Sequence, residues 1–166
     1  MKRIAGMVLF FKNSEAFSNW YPAKFTVDGV AFSSSEQYMM HAKAMLFGDT
    51  AMAARILATD SPKDQKALGR QVAGFVYEVW MAECRPLMVR GLLAKFEQNP
   101  DMGQVLLDTD DDILVEASPF DRIWGVGLSQ NDPRILDQAA WPGLNYQGEV
   151  LMSARSLLRV KLGQPV

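Results

Sequence analysis

The sequence predicts a mainly helical α+β fold with a small number of β-strands. Strand-like patterns occur in the first 33 residues and again near residue 115, and helical patterns fill most of the remaining chain. Because strands and helices do not alternate regularly, a doubly wound parallel sheet is not expected. The 166 residues contain no repeat, low-complexity tract or linker-like stretch, so we expect a single domain over residues 1–166.

The strands are predicted from apolar runs and one turn signal. Residues 7–11 form an apolar run with aromatic and β-branched side chains. Residues 25–32 alternate around Asp28-Gly29, a dipeptide typical of a β-hairpin. Residues 113–118 predict a buried strand that ends in a polar pair, whereas residues 17–22 are too aromatic for an ordinary solvent-exposed loop.

The helices are predicted from start and stop signals. Serines at residues 33–35 are suited to cap a helix that Gly48 ends, and Ser61-Pro62 opens another helix. The predicted helices cover residues 36–47, 50–58, a segment from 61, 76–98 (interrupted or entered afresh at Pro86), 102–107, 132 to about 140, and 145–161.

Composition excludes several classes of function. The net charge is −2, from 17 basic and 19 acidic residues, so a strongly basic face for binding a nucleic acid backbone is not expected. Cys84 is the only cysteine, which excludes an intramolecular disulfide and a cysteine-based zinc site, and we expect it to be a small buried hydrophobe. His41 is the only histidine, so a histidine-rich site is excluded, and we expect no metal and no other cofactor.

The N-terminus and the hydropathy pattern predict a cytoplasmic protein. A charged start precedes a short apolar run, but Lys12-Asn13-Ser14-Glu15 stands where a signal peptide would have its cleavage site. No stretch approaches the roughly 18 apolar residues that span a bilayer. We therefore expect no membrane partner, and the sequence leaves the oligomeric state open.

Glu36 and Lys43, on the first long predicted helix, are a first pair of candidate residues. Seven residues make nearly two helical turns, so both side chains project from one face, about 10 Å apart along the axis. The simplest alternative is that both are solvated surface charges. The aromatic segment Ser18-Asn19-Trp20 precedes this helix, and its closeness in sequence favours a shared site.

A second group of candidates follows the strand predicted at residue 113. Glu116 lies at the end of the apolar run, and Asp121 stands three residues before Trp124, which offers a flat face for stacking. Gly125 and Gly127 allow a close approach of the backbone or a positive φ. The alternative places Trp124 in the core, with both acids capping turns and both glycines as ordinary loop residues.

Asn145 opens the last predicted helix and is suited to be its N-cap. A helix N-terminus also attracts anions, so a ribose phosphate could dock there, and the two roles are compatible. Gly148 would allow a ligand or a neighbouring helix to approach the first turn.

Six motifs follow one another over residues 8–158, nearly the whole chain. They are Phe17-Ser18-Asn19-Trp20, Ser35-Glu36-Gln37-Tyr38-Met39-Met40-His41-Ala42-Lys43, Lys95-Phe96-Glu97-Gln98-Asn99, Leu114-Val115-Glu116-Ala117-Ser118, Asp121-x-x-Trp124-Gly125-x-Gly127 and Gly143-x-Asn145-x-x-Gly148-x-x-Leu151-Met152. In this order they resemble the motifs of the NADAR family (YbiA-like proteins).

The resemblance implies a predominantly helical α+β fold and an N-glycosidase that hydrolyses the bond between a base and a (phospho)ribose. YbiA-like members are associated with ribosylaminopyrimidine phosphates, which are early riboflavin-pathway intermediates. Other members remove ADP-ribose from modified guanine, in nucleic acid or as a free nucleotide. A non-catalytic sensor of ADP-ribose or NAD is the alternative from another class. After Gly127 this chain has an acidic segment, whereas riboflavin-type members are often rich in glycine and lysine there. This difference affects the expected substrate more than the expected reaction.

The resemblance also implies a catalytic set, formed by Glu36, Lys43 and Asp121. One acid would stabilise an oxocarbenium-like state or activate water while the other orients the ribose hydroxyls. Lys43 would donate a proton, contact phosphate, or attack C1 of the opened sugar as a neutral amine. The implied binding set, in which the two tryptophans enclose the base, is Ser18, Asn19, Trp20, Glu116, Trp124, Gly125, Gly127 and Asn145.

Overall fold

The computed structural model describes residues 1–164, and the chain forms two compact units. One unit combines residues 1–18 with the chain from residue 101 onward, and the other comprises residues 19–100. The described residues contain six α-helices and five short strands, so the mainly helical α+β prediction is confirmed. The extent of the domain stays a prediction, since two compact units in one chain are compatible with one domain or with two.

Most of the predicted strands and helices are present, with small shifts at their ends. The elements are β1 (Lys2–Ile4), β2 (Met7–Phe10), β3 (Pro22–Val27), β4 (Val30–Ser34), α1 (Ser35–Leu46), α2 (Thr50–Leu57), α3 (Pro62–Gly69), α4 (Tyr77–Gln98), α5 (Pro100–Leu107), β5 (Ile113–Glu116) and α6 (Tyr146–Lys161). None of these helices is long and apolar enough to cross a membrane.

The unit that contains both ends of the chain is built on a three-stranded sheet in the order β1-β2-β5. β2 runs antiparallel to β1 and parallel to β5, with Leu9 opposite Val115. Helix α6 packs against β5. Apolar side chains of the sheet and of the segment after β5 form one buried cluster: Met7, Leu9, Val115, Ala117, Val126, Leu128 and Ile135.

The unit of residues 19–100 packs four helices and a hairpin together. β3 and β4 join through Asp28 and Gly29, which both have positive φ (50° and 79°), as a type I′ turn requires. Helix α1 packs against α2, α3 and α4, and α4 also packs against β3.

Helix α4 runs without interruption from Tyr77 to Gln98, so the predicted break at Pro86 is wrong. Its buried face is formed by side chains spaced four residues apart, among them Trp80, Cys84 and Met88. Burial of this apolar stripe outweighs the one hydrogen bond that a proline removes. Cys84 is fully buried and burial raises the pKa of its thiol, so its assignment as a buried hydrophobe is confirmed.

The helix predicted from residue 132 to about 140 is also wrong. Two short 3-10 segments occupy this region, Pro133–Leu136 and Gln138–Ala140. Asp137 separates them with an extended backbone (φ −110°, ψ 106°), and its side chain accepts from the N–H of Ala139. A second capping residue inside the segment thus ends one turn and starts the next.

Candidate functional site

Glu36 lies in the first turn of α1 and is only 2% exposed. The helix start is fixed by Ser34, whose Oγ accepts from the N–H of Gln37 (3.0 Å), while Gln37 Oε1 accepts from the N–H of Ser33 (2.7 Å). The positive end of the helix dipole favours a carboxylate at this position. The sequence therefore places a buried acid on a rigid helix start.

The aromatic segment that begins at Asn19 is anchored to this turn. The carbonyl of Asn19 accepts from the N–H of Glu36 (2.9 Å). Asn19, Trp20 and Tyr21 are all half-buried. Two of the predicted binding residues, Asn19 and Trp20, thus lie beside the predicted catalytic residue Glu36.

Lys43, later on the same helix, contacts a different part of this unit. Its Nζ donates to the carbonyl of Gly69 (2.8 Å) and lies 4.2 Å from the ring centroid of Phe75 and 5.9 Å from that of Trp80. Burial, with a smaller effect of the Arg70 charge, lowers the pKa of Lys43. A lysine with a lowered pKa gives up its proton more readily, and each of the three roles predicted for Lys43 stays open.

A second lysine, which the motif analysis did not select, is more deeply buried. Lys95 on α4 is 0% exposed, and its Nζ lies 5.2 Å from the ring centroid of Phe96 and 5.9 Å from that of Tyr21. Burial lowers the pKa of Lys95 to about 7. Such perturbed groups concentrate at functional sites. The signal in the sequence was its place in the Lys95-Phe96-Glu97-Gln98-Asn99 motif, next to an apolar stripe.

In the other unit, Asn145 ties the start of α6 to strand β5. Its Oδ1 accepts from the N–H of Glu116 (3.0 Å) and its Nδ2 donates to the carbonyl of Leu114 (2.9 Å). Asn145 occupies the N-cap position with a left-handed backbone (φ 57°), but its side chain makes no capping hydrogen bond. The predicted side-chain cap is therefore wrong, because the amide pairs with the strand instead.

Three N–H groups at the start of α6 already have partners. The N–H groups of Asn145, Tyr146 and Gln147 donate to carbonyls in residues 123–125, at 3.3, 3.1 and 3.0 Å. These three donors are therefore engaged with the preceding loop, and docking of a ribose phosphate at this helix start stays a prediction. A Cβ at Gly148 would lie 2.0 Å from the carbonyl oxygen of Leu114, so this glycine permits the close contact between α6 and β5.

Asp121 braces the loop that follows β5. Its Oδ1 accepts from the N–H groups of Ile123 and Trp124, both at 2.8 Å. Among the described residues Oδ2 makes no hydrogen bond, so one carboxylate oxygen shapes the loop and the other remains available to a ligand. The ring of Trp124 is half-buried and packs edge-on against Tyr146 (centroids 6.1 Å apart).

The remaining predicted residues of this unit lie in tightly packed backbone. Gly125 has no room for a side chain, since a Cβ would lie 2.9 Å from the carbonyl oxygen of Asp121. Gly127 has a positive φ (73°). Ser18 is buried, and its N–H donates to the carbonyl of Glu15 (2.9 Å). In residues 1–164, no group of three or more His, Cys, Asp or Glu side chains is arranged to hold a metal ion.

Each unit thus gathers part of the predicted site. Residues 19–100 hold Asn19 and Trp20 close to Glu36, with Lys43 directed to Gly69. The other unit joins Glu116 to Asn145 and Asp121 to Trp124. A family model described as the NADAR domain matches residues 9–159.

The chain belongs to the NADAR family.

Several known proteins resemble this chain over most of its length. N-glycosidase R617 of Acanthamoeba polyphaga mimivirus is 40% identical, with 84% of this chain and 85% of the relative covered. Protein irg-1 of Caenorhabditis elegans is 38% identical, with 91% and 79% covered. A riboflavin biosynthesis protein of Vibrio vulnificus is 28% identical over 89% of this chain and 36% of its own length.

The solved structure of the Escherichia coli protein YbiA supports the fold. It matches with a TM-score of 0.77 at 27% identity, covering 96% of this chain and 89% of that chain. The same relative is named N-glycosidase YbiA. The predicted resemblance to YbiA-like NADAR proteins is therefore confirmed.

Proposed function

We propose that this NADAR protein is an N-glycosidase, a hydrolase that cleaves the bond between a base and a ribose phosphate. Relatives named N-glycosidases support the reaction class. The observation that carries the proposal is Glu36, an acid 2% exposed at the fixed start of α1. Breaking a glycosidic bond generates positive charge at C1, which a carboxylate in a water-poor site stabilises strongly.

The proposed roles follow from the contacts of each residue. Glu36 stabilises the cationic sugar that forms as the base leaves with the electron pair of the C1–N bond. The available Oδ2 of Asp121 takes a proton from the water that attacks C1, and the departing nitrogen takes up a proton from solvent. An ammonium has three donors, so Lys43 can keep its bond to the carbonyl of Gly69 and also contact a phosphate oxygen. Trp20 and Trp124 exclude bulk water from the reacting bond.

We propose a ribosylaminopyrimidine phosphate as the substrate class. The relative named for riboflavin biosynthesis supports this choice. The net charge of −2 also favours a small nucleotide over a long nucleic acid. ADP-ribosylated guanosine is the competing substrate, and binding of ADP-ribose without hydrolysis is the competing function.

The deciding experiment incubates the purified protein with 5-amino-6-ribosylaminouracil 5′-phosphate and, separately, with ADP-ribosylated guanosine. Free base is followed by mass spectrometry. We expect release from the first compound. Release from the second alone would change the substrate, and release from neither, together with binding of ADP-ribose, would replace the hydrolase by a sensor.

Three substitutions test the catalytic set. Glu36→Gln, Lys43→Met and Asp121→Asn each remove a charge at similar size, and Asp121→Asn keeps the oxygen that braces the loop. We expect each to lower kcat/KM at least roughly a hundredfold, because each removes a charge that interacts with the reacting substrate, while circular dichroism spectra stay unchanged. Glu83→Gln, at an exposed acid on α4, is the matched control and keeps full activity. Near-native rates in all three variants would contradict the site.

A further inference from the structure

Two phenylalanine rings lie together at the end of the sheet where strands β2 and β5 terminate. Phe11 directly follows β2, and Phe120 lies in the loop that follows β5. These strands are parallel neighbours, with Phe10 opposite Glu116, and the N–H of Ala117 donates to the carbonyl of Phe10 (2.8 Å). The chain therefore leaves both strands at the same edge, and the two ring centroids are 6.5 Å apart with planes tilted by 45°.

Neither ring is used to build the core. Phe120 is 89% exposed and Phe11 is 41% exposed. A lone exposed apolar side chain is common, but two exposed aromatic rings in contact form an apolar patch of the kind that marks a binding site.

The backbone under both rings is held in place. Ser118 Oγ accepts from the N–H of Phe120 (3.3 Å), and Glu15 Oε2 accepts from the N–H of Phe11 (2.7 Å). Both hydrogen bonds fix a loop at the residue that carries the ring. A surface that is ordered before binding loses little conformational entropy when a ligand arrives.

The rings also adjoin a residue of the proposed site. Asp121 follows Phe120 directly in the chain, and its Oδ1 holds the same loop through Ile123 and Trp124. Every nucleobase has a flat π face, so aromatic side chains bind bases by stacking with little regard to their edges.

We propose that Phe120, supported by Phe11, is the stacking platform for the planar base of the substrate. The identity of this ligand rests on the proposed function. The platform contacts the base and not the ribose phosphate, so it discriminates between ligands that carry a base and those that lack one.

Binding is measured in the Glu36→Gln background, where the substrate stays intact. Titration calorimetry compares 5-amino-6-ribosylaminouracil 5′-phosphate and ADP-ribosylated guanosine with ribose 5-phosphate. Phe120→Ala should weaken binding of the base-containing ligand roughly tenfold, a typical effect for one stacked base. Phe120→Trp should keep the affinity, and ribose 5-phosphate should bind both variants equally. Tyr77→Ala, at an aromatic side chain that is 51% exposed in the other unit, is the matched control and should change nothing.

Unchanged affinity in Phe120→Ala would overturn the platform, as would an equal loss for ribose 5-phosphate or failure of both nucleotides to bind. Base release by the protein without substitutions tests the hydrolase separately. Phe120-dependent binding without any release would leave the platform standing and remove the reaction. Base release together with binding that does not depend on Phe120 would support the hydrolase and overturn the platform.

Discussion

Lys95 shows how the burial of a single residue couples stability to pH. Its side chain is fully enclosed, and burial lowers its pKa to about 7. In the unfolded chain a lysine has a pKa near 10.4, so between these values the unfolded state binds more protons than the folded state. Stability that involves Lys95 therefore increases as the pH rises above about 7.

We predict that the free energy of unfolding rises between pH 7 and 8, with a slope approaching roughly 1.4 kcal/mol per pH unit. Lys95→Met removes the titrating group and should flatten this rise. Urea denaturation at several pH values in this range gives both slopes. The range stops at pH 8 because burial also raises the pKa of Cys84, which acts in the opposite direction at higher pH. Equal slopes in the two proteins would contradict the assignment to Lys95.

The sequence identified candidate residues but not their partners. Glu36 and Asp121 were candidates because they lie near aromatic motifs, and the family resemblance implied their catalytic role. The contact of Lys43 with Gly69 crosses 26 residues, and that of Asn145 with Leu114 crosses 31 residues. Local propensity carries no information about such pairs, because they depend on how helices and strands pack. For the same reason, the burial of Lys95 could not be predicted from the sequence.

At the scale of elements, the junction of α6 and β5 depends on one amide. Asn145 completes the hydrogen bonds of the strand edge at Glu116 and Leu114, and Gly148 lets the helix approach closely. Asn145 is 3% exposed, so water cannot replace its contacts without a rearrangement.

Asn145→Ala should destabilise the protein by roughly 2–4 kcal/mol, because it leaves a buried donor and a buried acceptor without partners. Part of any loss could come from the left-handed backbone, which alanine disfavours. Asn145→Gly removes the same amide without this backbone cost, so it isolates the hydrogen bonds. Urea unfolding of both variants measures the difference. Full stability in Asn145→Gly would show that the amide contributes nothing.

Elements with strong local signals were predicted well. Asp28-Gly29 marks the hairpin, and Ser61-Pro62 marks the start of α3. Strand β1 was not predicted, since its polar residues are held by a distant contact: Arg3 Nε donates to Asp112 Oδ2 (2.5 Å). The sequence predicts one helix in place of the two 3-10 segments because the residues around Asp137 have a helical pattern. The side chain of Asp137 nevertheless caps the second segment and so interrupts the helix.

At the scale of the whole molecule, the unit that holds both chain ends is discontinuous in sequence. Residues 19–100 separate β2 from β5, yet these strands pair directly. In the sheet β5 has β2 as its neighbour, so residues from 101 onward lack a sheet partner unless residues 1–18 are present.

A fragment of residues 101–166 should therefore not unfold cooperatively on its own. Adding a peptide of residues 1–18 should increase its ordered structure, because Leu9 completes the apolar cluster around Val115. Circular dichroism during thermal denaturation measures both states. A cooperative transition in the isolated fragment would show that β2 is dispensable.

Because β2 pairs with β5, the final structure of β2 cannot form during synthesis until the ribosome has made β5. Ile113 is made 103 residues after Phe10 (113 − 10), which at about 5–20 residues per second is a delay of roughly 5–20 s. During this delay the apolar strand β2 has an open edge, which chaperones or other nascent chains can contact. Residues 19–100 are complete before β5 appears and can fold first. The arrival of β5, rather than any local step, then decides when the first 18 residues reach their final structure.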